Sequence, residues 1–275
     1  SYSYVILPNY TCIPWELRSK FQYVTHFYMD YGQHTQNLHV GIMTYEYEGI
    51  RFYFIDNEDY FKCDHPYSDS IQWDIERFIF FSKAVLAVMP VIGFHPDIIH
   101  CHDWQTGMIP VFLRSTFASH SFYWGTKTIM TIHNLKFQGV WDMQCFVYHT
   151  NLPSYMFTPD KLEFKKDANM LKGGLVYADY ITTVSETYAE EIKTPYYGEQ
   201  LDGLLCARSR SLRGILNGID YDIYNPETDP KISVHYNVSN VVEQKKQAKR
   251  NLQAELGLPV DDSKFMIAII SRLTD

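Results

Sequence analysis

The sequence predicts an α/β fold, a parallel sheet with helices on both faces. Short, continuously apolar segments alternate with longer segments of helical periodicity, which is typical of a parallel sheet covered on both sides. Polar residues follow several of the apolar segments directly. The chain has 275 residues, of which 46% are hydrophobic and 20% charged, so it can bury a sizeable core.

The predicted elements follow from local pattern. Partly alternating runs at 40–48 and 50–56 flank Gly49 and predict a hairpin. Ser185 is expected to cap the helix that begins at Glu186, because its hydroxyl can accept from a first-turn N–H. The remaining strands are short apolar runs, predicted at 4–8, 96–100, 128–132, 180–184, 212–216 and 265–270. The helices have apolar residues at helical spacing or a capping residue, and are predicted at 69–91, 104–117, 164–177, 186–193 and 241–256.

Composition excludes several classes of partner. Lys and Arg number 24 against 32 Asp and Glu, and the resulting net charge of −8 argues against nucleic acid and anionic membrane as partners. The 5 cysteines are widely spaced and never form C-x-x-C, which favours a reduced, cytoplasmic protein. No apolar stretch is long enough to predict a membrane span. We therefore expect a soluble cytoplasmic protein.

Polar residues gather where the predicted strands end, which is where ligands bind in parallel α/β sheets. These strand ends read His100-Cys101-His102-Asp103, His133-Asn134, Ser185-Glu186 and Asn217-Gly218-Ile219-Asp220. A metal is not favoured at the first of them, because neighbouring residues of an extended segment face opposite sides and no second cluster completes a ligand set. The expectation is therefore a polar site without a metal.

Asp103 has two interpretations that the sequence leaves open. A carboxylate past a strand end, followed by Trp104, suits a sugar, because its oxygens accept from hydroxyls and an indole stacks on a pyranose. Alternatively, Asp103 caps a helix that begins at Trp104. His133 likewise is either a ligand-binding residue or a structural histidine.

Nucleotide-binding motifs are absent from the sequence. Lys172-Gly173-Gly174-Leu175 does not follow a strand, so its glycines are expected to allow close packing rather than to bind phosphate. No G-x-G-x-x-G occurs, and a nicotinamide or flavin cofactor therefore has no support.

Six segments in order resemble the N-terminal domain of bacterial glycogen synthases and plant starch synthases. They are DIIHCHDWQTG at 97–107, TIHNLKFQG at 131–139, KGGLVYAD at 172–179, TTVS at 182–185, YGEQLDGLL at 197–205 and GILNGID at 214–220. The terminal SRLTD at 271–275 is similar to the opening of that family's second domain. The resemblance covers nearly the whole chain.

The resemblance implies the N-terminal half of a GT-B fold, in which two Rossmann-like domains face each other across a cleft. It implies transfer of glucose from a nucleotide sugar, expected to be ADP-glucose, to the non-reducing end of an α-1,4-glucan, with retention and without a metal or other cofactor. By motif, His133 and Asp103 would be catalytic. The expected substrate-binding residues are Trp104, Asn134, Tyr60, Asn217 and Asp220, with Tyr60 at the cleft rim and the last two at the cleft floor.

Two departures from the family pattern affect the expectation. The family's N-terminal K-x-G-G-L loop does not occur, so the first strand–helix unit is expected to be missing. We predict an N-terminal domain over 1–260, and 261–275 as the first strand of a truncated second domain. The fragment alone is then expected to be inactive, within a bacterial cytoplasmic enzyme. The alternative is a non-catalytic glucan-binding or interaction module on the same half-fold.

Overall fold

The computed structural model describes residues 3–33 and 35–271, with the side chain of Thr35 left out. The chain divides into two compact units, Ser1–Leu216 and Asn217–Asp275. The first unit ends at residue 216, before the domain boundary that the sequence predicts at residue 260. That boundary stays a prediction. No helix among the described residues combines the length and the apolar character needed to cross a bilayer.

Eleven strands of the described residues form three sheets. In chain order they are β1 Tyr4–Pro8, β2 Gln22–Tyr31, β3 Thr35–Tyr47, β4 Ile50–Asp56, β5 Ile98–His102, β6 Lys127–Ile132, β7 Val140–Trp141, β8 Glu163–Phe164, β9 Asp167–Asn169, β10 Tyr180–Thr183 and β11 Leu212–Gly214. One sheet has the order β1-β4-β3-β2, the second β11-β10-β6-β5, and the third β7-β9-β8.

The second sheet is parallel throughout and carries the candidate site at its carboxyl edge. His102 of β5 lies opposite Thr131 of β6, and Thr131 lies opposite Thr182 of β10. This register brings the polar residues that follow β5 and β6 to the same edge, as the sequence predicts.

The predicted hairpin is confirmed, but it belongs to a separate mixed sheet. β3 and β4 pair antiparallel around Gly49, whereas β1 pairs with β4 in parallel. The third sheet is a small antiparallel one. The architecture is therefore α/β, with the strands distributed over three sheets instead of one.

The described residues form nine α-helices. They are α1 Trp15–Arg18, α2 Glu58–Phe61, α3 Ile71–Val91, α4 Met108–Arg114, α5 Met143–Thr150, α6 Met170–Tyr177, α7 Glu186–Glu191, α8 Asp202–Ala207 and α9 Val241–Glu255, with 3₁₀ turns at Trp104–Thr106, Ser121–Tyr123 and Ser154–Met156. Ser185 caps α7 as predicted, since its hydroxyl accepts from the Tyr188 N–H at 3.3 Å. The long helix α3 is buried along most of its length.

Two predicted helices are wrong at their boundaries. The segment 164–177 begins as a hairpin, because Lys165 and Lys166 adopt positive φ angles of 54° and 75° and turn the chain between β8 and β9. Its helix begins only at Met170. The segment 104–117 divides at Gly107 into a 3₁₀ turn and α4, which ends at Arg114.

The edge strand β5 differs in exposure between its two faces. At the edge strand β5, Ile99 and Cys101 are buried, whereas Ile98 is 55% exposed and both His100 and His102 are exposed. The described residues therefore cover one face of this strand and leave the other open. The sequence pattern did not predict this, because a short apolar run does not reveal a bare face.

The second unit contains α9 but no strand among its described residues. The predicted strand at 265–270 has no regular secondary structure and no sheet partner among the described residues, and Phe265 is 89% exposed. A strand needs a neighbour for its backbone hydrogen bonds, and the described residues supply none. Most of the SRLTD segment, 272–275, lies outside the described residues.

Candidate functional site at the edge of the parallel sheet

The Asp103 carboxylate joins the ends of two neighbouring strands. Its Oδ1 accepts from the backbone N–H of His133 at 2.7 Å and from that of Asn134 at 3.4 Å. No side-chain capping bond runs from Asp103 to the turn that begins at Trp104. The helix-cap interpretation of Asp103 is therefore wrong.

Asp103 also has strained backbone geometry. Its φ of 54° lies in the left-handed region, which a residue other than glycine adopts only when the surroundings impose it. The Thr106 hydroxyl holds the turn, since Oγ1 accepts from the His102 N–H at 2.7 Å and lies 2.9 Å from the His102 carbonyl. Strain of this kind concentrates at functional sites because it aims a side chain.

The side chain of His133 contacts a second histidine. His133 Nε2 lies 3.0 Å from His102 Nδ1, across the gap between the ends of β6 and β5. The His102 ring in turn lies 4.3 Å from the His100 ring, centroid to centroid. His100 Nε2 shares a hydrogen bond of 2.6 Å with the Thr131 hydroxyl. Three imidazoles thus form one row on the open side of the sheet.

Crowding of these rings keeps two of them neutral. The pKa of His102 is lowered to about 4, first by removal of its ring from water and then by repulsion from His100 and His133. Burial, and then His133, also lower the pKa of His100. Because a positive charge on either ring is unfavourable, both act as neutral hydrogen-bonding groups near pH 7.

The loop before α3 contributes a residue that the sequence analysis missed. The Tyr67 hydroxyl accepts from Gln105 Nε2 at 2.7 Å, and the pKa of Tyr67 is raised by burial and then by the charge of Asp103. The exposed ring of Tyr67 is therefore at the site. No sequence motif near Tyr67 indicated this position.

A buried ion pair anchors that loop. Arg77 Nη2 lies 2.8 Å from Asp74 Oδ1, and Arg77 also donates to the Pro66 carbonyl. The Asp74 carboxylate accepts from the Ser68 N–H at 3.1 Å. Because these bonds hold residues on both sides of Tyr67, the ion pair positions the Tyr67 side chain.

Trp104 and Tyr60 lie in the core, in contrast to the exposed sugar platforms expected from the sequence. Trp104 is only 5% exposed, and Phe78 packs edge-on against its ring at 5.2 Å. Tyr60 is 7% exposed, stacks on Phe80 at 4.5 Å and donates to Glu76 Oε1 at 3.0 Å. Neither ring presents a free face in this structure, and their contact with substrate stays a prediction.

The other three predicted residues differ in placement. Asn134 is exposed beside His133, and its Oδ1 accepts from the Lys136 N–H at 3.0 Å. Asn217 and Asp220 lie in the second unit, where Asp220 Oδ1 accepts from the Asp222 N–H at 2.9 Å. Asp103, His133 and Asn134 are therefore brought together, and the role of the second-unit pair stays a prediction.

The KGGL segment has a packing role, as expected. A Cβ on Gly173 would lie 2.5 Å from Leu162, and one on Gly174 would lie 3.1 Å from the Gly107 Cα. Lys172 Nζ donates to the Pro159 carbonyl at 2.5 Å and also to that of Glu163. The lysine is thus engaged in holding its own chain.

Asp103, His133, His102 and His100 form a cluster whose hydrogen-bonding groups suit sugar hydroxyls. Among the described residues, no group hydrogen-bonds to Asp103 Oδ2, which leaves that oxygen available as an acceptor. No Lys or Arg of the described ranges pairs with Asp103, His102 or His133, and no three His, Cys, Asp or Glu side chains there are arranged for a metal. The site therefore supplies acceptors and neutral imidazoles, without a cation.

Comparison with known proteins shows the fold and the family of this chain. The structure aligns with the catalytic domain of starch synthase IV from Arabidopsis thaliana, bound to ADP and acarbose, with a TM-score of 0.75 and 30% identity over 92% of this chain and 52% of that one. The fold is that of one half of a GT-B glycosyltransferase. Residues 3–207 match the family model described as the starch synthase catalytic domain. The chain belongs to this family.

Bacterial relatives agree with the family assignment. The chain is 60% identical over 271 residues to a glycogen synthase of Lachnospira eligens, and 49% identical over 270 residues to one of Anoxybacillus flavithermus. Each match covers 98% of this chain but only 56% and 55% of the relative. The chain thus spans about half the length of these relatives, consistent with the predicted half of a two-domain protein.

Proposed function

We propose that this chain is the sugar-binding half of a glucosyltransferase that moves glucose from ADP-glucose to the non-reducing end of an α-1,4-glucan, with retention of configuration. The observation that carries the proposal is the Asp103–His133 bond at the carboxyl edge of the parallel sheet. It joins the two predicted catalytic residues in a chain of the starch synthase family.

The chemistry of the transfer matches what the site contains. Breaking the anomeric C–O bond builds positive charge on the sugar and negative charge on the diphosphate. The Asp103 carboxylate supplies negative charge and an acceptor on the sugar side, whereas the His133 ring hydrogen-bonds to the donor glucose. Preorganised groups of this kind act on the charge that develops in the transition state.

The proposed donor has support from the structural neighbour, which was obtained with ADP. The proposed acceptor has support from the glycogen synthases among the relatives. Because these relatives come from bacteria, we propose a bacterial enzyme with a cytoplasmic location. The leaving diphosphate needs cations, and none pairs with the cluster in the described ranges. We therefore propose that the cations lie in the remainder of the protein and that the 275 residues alone are inactive.

The test uses the full-length protein that contains this chain. Purified protein is incubated with glycogen and either ADP-glucose or UDP-glucose labelled in the sugar, and the polymer is then digested with β-amylase, which releases maltose from non-reducing ends. We expect incorporation from ADP-glucose, release of the label by β-amylase, and an α-anomeric signal in the product. Binding of glucan without transfer from either donor would contradict the proposal and favour the binding module.

A further inference from the structure

We propose that His102 is a positioning residue for His133: its Nδ1 accepts the Nε2 proton of His133, which fixes the His133 ring and leaves Nδ1 of His133 to face the substrate. The catalytic consequence of this inference rests on the proposed function, whereas the hydrogen bond itself does not. His102 is not among the residues that the family resemblance assigned to substrate.

The backbones on both sides of this contact are held rigidly. His102 pairs with Thr131 in the register of β5 and β6, and its N–H donates to Thr106. The His133 N–H donates to Asp103. The two backbones are thus held at a spacing at which the ring nitrogens lie 3.0 Å apart.

A hydrogen bond between two imidazole nitrogens requires one proton between them, so one ring must accept. We assign the proton to Nε2 of His133 and the acceptor role to Nδ1 of His102, which lie 3.0 Å apart, and the tautomer measurement below tests this direction. The other titratable groups in the row and around it are His100, Asp103, and the two tyrosines whose pKa values respond to Asp103, Tyr67 and Tyr188.

In catalysis, the bond from His102 orients Nδ1 of His133 towards the substrate. When the hydrogen bond of one imidazole nitrogen is fixed, the protonation of the other nitrogen is fixed as well. Without the partner, the exposed His133 ring rotates and exchanges tautomers, so the productive arrangement becomes one of several. Loss of this ring orientation lowers the rate of glucose transfer more than it weakens binding of the glucan.

The kinetic test compares three variants of the full-length protein. In His102→Asn, an amide atom occupies the place of Nδ1; in His102→Ala nothing does; and His95→Ala removes an exposed imidazole outside the row. We expect His102→Ala to lower kcat about tenfold, with KM for glycogen changed less than about twofold. His102→Asn should recover kcat to within about threefold of wild type, and His95→Ala should stay within about twofold.

A spectroscopic test reports on the bond without requiring activity. With ¹⁵N-labelled histidine in the full-length protein, His133 should show a protonated Nε2 and an unprotonated Nδ1 at neutral pH, and His102→Ala should convert it to a mixture of tautomers. An Nδ1–H tautomer of His133, equal loss in the Asn and Ala variants, or wild-type kcat in His102→Ala would overturn the proposal. An inactive wild type that keeps the expected tautomer would contradict the proposed function alone.

Discussion

Asp103 Oδ1 and the backbone N–H of His133 lie 2.7 Å apart and join the loops that leave two neighbouring strands. The bond places a carboxylate and an imidazole at one edge of the sheet, and the positive φ of Asp103 is part of how the chain achieves this. A carboxylate that accepts from backbone amides has a fixed orientation, so its second oxygen has a defined direction as well.

Asp103→Asn should lower kcat about 10²-fold or more in the full-length protein, with little change in the free energy of unfolding. The Asn carbonyl oxygen can still accept from the His133 N–H, so the turn is retained, whereas the negative charge beside the sugar is lost. Steady-state kinetics and thermal unfolding measure the two effects. Asp97→Asn removes an exposed carboxylate at the other end of β5 and is the control; equal kinetics in both variants would contradict the role of Asp103.

His133→Ala should lower kcat by about 10²–10³-fold while KM for the glucan changes little. Its backbone N–H remains to bind Asp103, so the variant removes only the ring. The matched control is His95→Ala, which removes an exposed imidazole away from the strand ends. A drop of less than about threefold would restore the interpretation of His133 as a structural histidine.

Asp74→Ala should lower the free energy of unfolding by about 3–5 kcal/mol, because it leaves Arg77, which is 1% exposed, as an unpaired buried cation. Chemical denaturation measures the loss. The control is Glu243→Ala, which breaks an exposed pair with Lys246 and should cost about 0–1 kcal/mol. Equal effects of the two substitutions would show that the Asp74–Arg77 pair does not hold the Tyr67 loop.

Gly107→Ala should destabilise the protein by about 1–3 kcal/mol or more, since the new Cβ would lie 2.2 Å from the Met170 carbonyl oxygen and backbone cannot yield as a side chain does. Gly203→Ala is the matched control, because a Cβ there meets nothing within 4 Å and alanine favours the helix α8. Thermal unfolding of both variants measures the difference. A Gly107 variant as stable as the Gly203 variant would contradict the close contact of α4 with α6.

The sequence predicted which polar residues follow the strands better than it predicted the contacts that these residues make. The apolar runs predicted as strands at 96–100 and 128–132 were recognisable because buried strands are continuous in hydrophobicity. Parallel pairing of these strands then places the polar residues that follow them together. The Asp103–His133 bond itself was beyond the sequence, because a strand-end carboxylate can equally cap the next turn. The structure excludes that geometry, because Asp103 makes no side-chain capping bond and its Oδ1 accepts from the His133 N–H instead.

Burial of the two aromatic residues was not predictable from local pattern. Trp104 follows a polar residue at a strand end, which resembles a sugar platform, yet tertiary packing against Phe78 and Gly139 places it in the core. Tyr67 is the reverse case, since it lies in a loop without a motif. The ion pair between Asp74 and Arg77, both in the helix α3, holds the loop that carries it at the site.

The most direct test of the account measures transfer of labelled glucose from ADP-glucose to glycogen by the 275-residue chain and by the full-length protein, side by side. We propose that the sugar pocket lies in this chain and the cations for the diphosphate in the rest of the protein. We expect incorporation by the full-length protein and at least about 10²-fold less by the chain alone, because the leaving group then lacks the cations proposed for the remainder. Incorporation by the chain within about tenfold of the full-length protein would contradict this division of the site between the two parts.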